Sequence, residues 1–135
     1  MATTFQEEEK RLRKALTDTL RIVSVETVKY FQDTMQKEVD IFGKPYAPRK
    51  QITKRQVGKR ILQDTGNLKA SIRTLEVNVQ RLSIRIGTSS VVDDYAEKHN
   101  EGTDLIAQRR FLGESDLVQK FVEDKASETF KKLFK

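Results

Sequence analysis

The sequence predicts an α+β domain: a long N-terminal helix and a small antiparallel sheet, packed by further helices including a C-terminal helix. Apolar residues recur at three- and four-residue steps over residues 4–41, which indicates an amphipathic helix. Two short runs between residues 73 and 87 alternate apolar with polar side chains, and helical spacing returns after residue 115. At 135 residues the chain has the length of one domain. We divide it into a long helix (1–42), a basic loop (43–61) and an α+β body (62–135).

The first helix has a clear start and an unusual length. Thr4 followed by Glu7 matches a capping box, and Gly43 and Pro45 are expected to end the helix. About 34 helical residues would be roughly 50 Å long, whereas a globule of this chain length is roughly 36 Å across. The helix is therefore predicted either to break near its middle or to project toward another subunit. Its apolar stripe consists of Leu12, Leu16, Leu20, Val23, Thr27 and Tyr30 or Phe31.

Residues 44–60 contain basic residues and no acidic one, and two prolines and a glycine argue against regular structure there. With a net charge of +6, the chain is compatible with an anionic partner. Positive charge that follows no recognition motif would support contacts with phosphate groups that do not depend on the nucleic-acid sequence. The alternative interpretation is a solvated linker. The candidate phosphate-contacting residues are Arg49, Lys50, Lys54, Arg55, Lys59 and Arg60.

The body begins with a turn at residues 64–67 that leads into a short helix through Ser71. The two alternating runs that follow predict an antiparallel hairpin with one buried face, ended by Gly87. The apolar members of the runs are Leu75, Val77, Val79, Leu82, Ile84 and Ile86.

Two more helices complete the chain. The first is predicted to open at Ser90 with Asp93 and to close at Gly102. The second is predicted to be capped by Ser115 or Gly113. Its stripe consists of Val118, Phe121, Val122, Lys125, Thr129, Phe130 and Leu133.

The only histidine, His99, shares a helix face with Val92, Tyr95 and Ala96. A histidine that shares a helix face with apolar and aromatic residues is more often packed and hydrogen-bonded than catalytic. A hydrolase that uses His99 with Asp93 or Glu97 is kept as a hypothesis to be tested.

The remaining residue inventory argues against other chemistry. The chain has no cysteine, which excludes disulfides, thiolate metal sites and cysteine nucleophiles. A nucleophile elbow, a P-loop and a dinucleotide fingerprint are all missing from the sequence. No apolar run approaches the roughly 18 residues of a membrane span, and no secretory signal is recognisable. We expect an intracellular protein that is not an enzyme and has no cofactor or metal.

Four motifs occur in order along residues 40–133. A Leu…Thr-Gly-x-Leu-x-x-Ser-Ile segment at 61–72 includes Thr65, Gly66 and Leu68, and an aromatic-x-Pro segment lies upstream at 43–48. Two later motifs are Tyr-Ala-x-x-His-x-x-Gly and Arg-x-Phe-Leu-Gly. Together these residues resemble phage virion morphogenesis (tail completion) proteins of the Mu type. The two later motifs are carried by Tyr95, Ala96, His99, Gly102, Arg109, Phe111, Leu112 and Gly113.

The resemblance implies a non-enzymatic structural protein that forms a homo-oligomeric ring, with a hexamer as one candidate size. Its partners would be further copies of itself and tail-tube or neck (connector) proteins, without a membrane. It would act in the virion tail or neck, after assembly in the host cytoplasm. Basic residues such as Arg49 and Lys50 would then face the lumen and contact DNA without sequence preference.

The resemblance has two departures. Ala107 and Arg110 stand where the family often has prolines, and Tyr46 stands where tryptophan is more usual. A tail-terminator role and a neck or head-closure role both remain open. The alternative from another class is a basic nucleic-acid-binding module that contacts phosphates through residues 44–60.

Overall fold

A computed structural model of the chain describes residues 4–49, 62, 67–89, 93–103 and 107–134. It has the predicted α+β architecture, with a long first helix, a two-stranded antiparallel sheet and a C-terminal helix. Most of the basic loop and the turn at 63–66 lie outside the described residues. The elements in chain order are α1 (Phe5–Gln36), α2 (Asn67–Ser71), β1 (Arg73–Asn78), β2 (Ser83–Gly87), α3 (Asp93–Glu101) and α4 (Asp116–Leu133).

The capping box at the start of α1 is confirmed. The Glu7 amide donates to Thr4 Oγ1 at 3.1 Å, and the Thr4 amide donates to Glu7 Oε2 at 3.1 Å. Because the first amides of a helix have no partner within it, this exchange fixes where α1 begins.

The end of α1 differs from the prediction. The helix stops at Gln36 rather than continuing through residue 41, and Glu38 adopts a left-handed backbone with φ 57°. This conformation lets the Val39 amide donate to the Thr34 carbonyl at 3.1 Å, which closes the helix. The turn that follows is held by Asp40, whose Oδ1 accepts from the amides of Phe42 and Lys44 at 2.9 Å each. An aspartate that bonds amides ahead of it offers the backbone a turn in place of a helix.

α1 does not break, and its N-terminal end projects instead. The predicted meeting of that end with another subunit stays a prediction. Its 32 residues span roughly 48 Å, whereas the 18 residues of α4 span roughly 27 Å. The two helices run antiparallel: Tyr30 packs on Phe121 at a ring distance of 4.5 Å, and the Arg11 guanidinium lies 4.6 Å from the Phe134 ring. The first turns of α1 therefore extend beyond the end of α4.

The hairpin forms as predicted, but its apolar face is only partly buried. Thr74 pairs with Ile86 and Glu76 with Arg85, so Leu75 is an extra residue on β1. Such a bulge interrupts the alternation of side chains between the two faces. Leu75 is consequently 42% exposed, and Leu82 in the turn is 59% exposed. The expectation of one buried face is therefore wrong at these two positions.

The core lies at the C-terminal end of α1. The helix α2 is joined to α1 there, because Gln32 Nε2 donates to the Lys69 carbonyl at 3.1 Å. Ser115 is the N-cap of α4, which decides between the two predicted caps. No helix among the described residues is long and apolar enough to span a membrane. The buried cluster consists of Phe31, Met35, Ile41, Tyr46, Leu62, Leu68, Ile72, Ala96, Phe111 and Val118.

Candidate functional site

Three segments that are distant in the sequence meet beside this core, and we call them together the clasp: residues 38–48, 98–102 and 107–115. The Ile41 amide donates to the Arg110 carbonyl at 2.9 Å, and the Arg109 amide donates to the His99 carbonyl at 2.8 Å. The middle of the third segment is thus hydrogen-bonded to both of the others. The clasp contains most of the sequence-predicted motif residues that the structure describes.

Ser115 joins the start of α4 to the turn after α1. Its hydroxyl donates to the Ile41 carbonyl at 2.6 Å and accepts from the Val118 amide at 3.2 Å. A hydroxyl has both donor and acceptor capacity, so one side chain satisfies a loop carbonyl and a helix amide. The sequence predicted the cap but not the bond to Ile41.

Asn100 supports the Phe-Leu part of the clasp. Its Oδ1 accepts from the amides of Phe111 and Leu112, at 3.0 and 3.1 Å. These two amides lie in an irregular segment, where a side-chain acceptor replaces the partner that a strand would supply. Sequence reasoning missed Asn100, because it is one of the unspecified positions of the Tyr-Ala-x-x-His-x-x-Gly motif.

Arg109 lies inside the clasp rather than on the surface, with 8% of its area exposed. Its Nε donates to the Ala47 carbonyl at 2.9 Å and its Nη2 to the Pro48 carbonyl at 3.3 Å. The planar guanidinium presents several donors in a fixed arrangement, which suits two adjacent backbone carbonyls. Arg109 therefore fixes the position of the backbone at Ala47 and Pro48, which follow the turn after α1.

Phe111 is 1% exposed and lies in the core of its own chain, and Leu112 is half-buried against that core. Gly113 has φ 143°, and a Cβ added to it would lie 3.3 Å from Ile41 Cδ1. A left-handed backbone in contact with a core side chain favours glycine. The Phe-Leu-Gly motif thus places one aromatic ring in the core, and its glycine then allows the backbone to turn toward α4.

Gly102 closes α3 as predicted, with φ 81° and its amide bonded to the Lys98 carbonyl at 2.8 Å. A Cβ added to it would lie 2.9 Å from Gln108 Cβ, so the chain passes too closely for a side chain. Gly102 therefore ends the helix and leaves room for the third segment of the clasp to pass close to the backbone.

His99 is half-buried, and its Nδ1 is shielded from solvent. Burial lowers the pKa of His99 below its ordinary value of 6.5, and the nearby Arg109 charge lowers it further. Both causes disfavour the imidazolium, so the neutral ring is favoured near pH 7. Of the two carboxylates in the hydrolase hypothesis, Glu97 is exposed, and the Asp93 side chain lies outside the described residues.

Tyr46 occupies the aromatic position of the upstream motif and is 6% exposed. Burial raises the pKa of its hydroxyl, and the Asp40 carboxylate adds to the increase. The hydroxyl is buried and has no hydrogen-bond partner among the described residues. Its ring contributes to the core beside Arg109, whose charge partly opposes the increase in the Tyr46 pKa.

The remaining predicted residues are placed less completely. Leu68 lies in the core, and Arg49 is half-buried after the turn that follows α1. Tyr95 lies in α3, but its side chain is outside the described part of the chain. The other predicted residues outside the described ranges are Lys50, Lys54, Arg55, Lys59, Arg60, Thr65 and Gly66.

The clasp consists of backbone hydrogen bonds, buried side chains and constrained glycines. Within the described ranges, no group of three or more histidine or acidic residues could hold a metal ion. Comparisons with protein-family models, curated proteins and solved structures returned no match to this chain.

Proposed function

We propose that this chain is a non-enzymatic structural protein of phage or prophage virion assembly, which forms a homo-oligomeric ring as a tail completion or tail terminator protein at the head–tail junction. It would act in the virion, bound to tail-tube or neck proteins. The observation that carries the proposal is the clasp. Three of the four motifs that suggested the family, which are separate in the sequence, meet there in space.

The chemistry of the clasp supports a scaffold rather than a catalyst. Arg109 is hydrogen-bonded to two carbonyls, and Phe111 is almost fully buried, so neither is presented to a substrate. Motif residues that form hydrogen bonds and pack within the protein determine the local structure of the chain. Function must be argued from a site and its chemistry, and in this site the chemistry is packing and backbone satisfaction.

The shape of α1 supports assembly. The first turns of α1 reach past the end of α4 and so offer a contact surface at one end of the molecule. Contacts between different surfaces of identical subunits are heterologous, and they generate a ring when the rotation closes.

The test is electron microscopy of the purified chain, alone and mixed with tail tubes from a phage that encodes it. The expected result is a ring of constant size, either free or at the ends of the tubes. A matched sample with Phe111→Ala, which should unfold the clasp, should leave the tube ends bare. Tube ends that remain bare with the folded wild-type chain would overturn the proposal.

A further inference from the structure

The hairpin of β1 and β2 packs one face on α1 and presents the other, which we call its outer face, to solvent. Ile86 is half-buried and packs against the core. Because side chains alternate along a strand, the adjacent Arg85 points to the outer face. Glu76 lies opposite Arg85 and Arg73 lies opposite Gly87, so Glu76 and Arg73 belong to the outer face as well. The side chains of all three charged residues are exposed.

Three arginines follow the length of the hairpin. Arg73 and Arg85 are diagonal neighbours in the register, which places their Cα atoms about 7–8 Å apart. Arg81 is exposed in the turn at the tip, where its amide donates to Asn78 Oδ1 at 3.0 Å. Since β1 has six residues, the arginines are distributed along a ribbon roughly 20 Å long.

These arginines are not paired within the part of the chain that the structure describes. No ion pair joins any of the three to a described carboxylate. By contrast, Arg11 and Arg13 on α1 each pair with a glutamate one turn earlier, at 3.0 and 3.3 Å. The guanidinium groups of the hairpin therefore keep their donors available for an anion from outside the molecule.

A single acidic residue shares the outer face. Glu76 is the only acidic residue between Asp64 and Asp93, a segment that contains four basic residues. Its Oε1 accepts from Asn78 Nδ2 at 3.5 Å, and it forms no ion pair with Arg85. With three arginines and one glutamate, the outer face and tip carry a net charge of +2. Their charge is complementary to that of a polyanion.

The residue types of the hairpin indicate which polyanion fits. Residues 73–87 contain no aromatic side chain on which an unpaired base could stack. Such stacking is the usual means of binding single-stranded nucleic acid. Arginine, by contrast, matches the geometry of a phosphate group with two parallel hydrogen bonds. A duplex carries one charge per roughly 1.7 Å of its axis, so about 12 phosphates lie alongside a ribbon of roughly 20 Å.

We propose that the outer face of the hairpin binds the phosphate backbone of double-stranded DNA. Arg73 and Arg85 are the central contacts, and Arg81 adds one at the tip. Contacts with phosphates carry no sequence information, so the binding does not depend on the DNA sequence. This surface is distinct from the basic loop of residues 44–60. It goes beyond the proposed function and does not require it.

The first test is fluorescence anisotropy with a labelled DNA duplex of mixed sequence over a salt series. In the double variant Arg73→Gln/Arg85→Gln, the slope of log binding constant against log salt should fall by about two, since two phosphates lose their partners. The matched control is Arg13→Gln/Lys132→Gln, which removes the same charge from ion pairs on α1 and α4. The control should keep the wild-type slope.

Two further variants separate charge from folding. Arg73→Lys/Arg85→Lys retains both charges and should restore most of the wild-type slope. Glu76→Gln removes the one negative charge of the outer face and should bind the duplex more tightly than wild type, a gain that unfolding cannot produce. A glutamine pair with the wild-type slope, or a Glu76→Gln variant that binds no more tightly, overturns the proposal.

The choice of polyanion is tested with two competitors, a single-stranded oligonucleotide of the same length and polyglutamate. Each should displace the labelled duplex only at higher concentration than unlabelled duplex does. Equal competition by either one, or no binding of the wild-type chain to the duplex at low salt, overturns the assignment of double-stranded DNA.

This proposal and the proposed function fail in different ways. Rings on tail tubes, formed by a chain that does not bind DNA through the hairpin, would retain the structural role and overturn the hairpin surface. Binding of DNA that depends on Arg73 and Arg85, with tube ends that stay bare, would retain the hairpin surface and overturn the proposed function.

Discussion

Phenylalanines lie near both ends of α1, but the one at the C-terminal end is buried and the one at the N-terminal end is exposed. At its C-terminal end, the clasp encloses Phe111 and provides partners for backbone groups through Asn100 and Ser115. At its N-terminal end, Phe5 is exposed on a capped, regular helix. An apolar side chain contributes to folding only where the same chain covers it. The comparison therefore separates residues that stabilise this fold from residues available to a second molecule.

The largest effect is expected from Phe111→Ala. Removing a fully buried ring should lower the free energy of unfolding by about 3–5 kcal/mol, because the cavity cannot collapse fully. Urea denaturation followed by circular dichroism measures it. Phe42→Ala is the matched control, since Phe42 is 53% exposed on the turn after α1 and should change little. Equal effects at the two positions would contradict the division between covered and uncovered residues.

Asn100→Ala should lower the free energy of unfolding by about 1–3 kcal/mol, since the amides of Phe111 and Leu112 would lose their acceptor. Asn100→Asp keeps that oxygen and should recover much of the loss. Denaturation curves of the three proteins at pH 7 provide the comparison. If both variants lost the same stability, the acceptor role of the Asn100 side chain would be wrong.

Acidification should weaken the clasp through His99. Its folded pKa lies below the unfolded value of 6.5, so the unfolded chain binds the proton more readily. The contribution of neutral His99 is fully present above about pH 6.5 and is lost as the pH falls from there toward the lowered folded pKa.

Thermal melts of wild type and His99→Gln between about pH 7.5 and 5.5, a range that brackets the ordinary histidine pKa, test this. Wild type should lose stability more steeply than the variant over that range. Parallel profiles would show that His99 is not shielded as the structure has it. A fold defect without any loss of hydrolytic activity would also favour the packed histidine over the hydrolase hypothesis.

The smallest effect on the fold is expected from the basic loop. If the basic loop is the solvated linker of the alternative interpretation, replacing Lys50, Lys54 and Arg55 with glutamine should change the free energy of unfolding by less than about 0.5 kcal/mol, as is usual for surface substitutions. If the loop binds DNA, the slope of log binding constant against log salt should fall by about one for each phosphate that the variant no longer neutralises. Filter binding across a salt series measures this slope. No binding of wild type to duplex DNA at low salt would remove the nucleic-acid alternative.

Local signals predicted the parts of this fold that local chemistry determines. Thr4 and Ser115 were recognisable as caps because a side-chain oxygen precedes a helical pattern. Gly102 was recognisable as a helix end, and the hairpin by its alternation. The end of α1 was missed because it depends on a left-handed backbone at Glu38, a residue type that rarely adopts that conformation, while the helical pattern continues past it.

The candidate site was predictable as a set of residues but not as an arrangement. Nothing near Arg109 in the sequence indicates that it donates to the carbonyls of Ala47 and Pro48, which lie 62 and 61 residues earlier in the chain. Backbone carbonyls carry no sequence signature.

The hydrogen bond between Ser115 and Ile41 spans 74 residues. During synthesis at about 5–20 residues per second, roughly 4–15 s pass between the two residues. Throughout that interval α1 exists without α4, its antiparallel partner in the finished molecule. The apolar face of α1 that α4 covers in the finished molecule is therefore without that cover until the last helix has been synthesised.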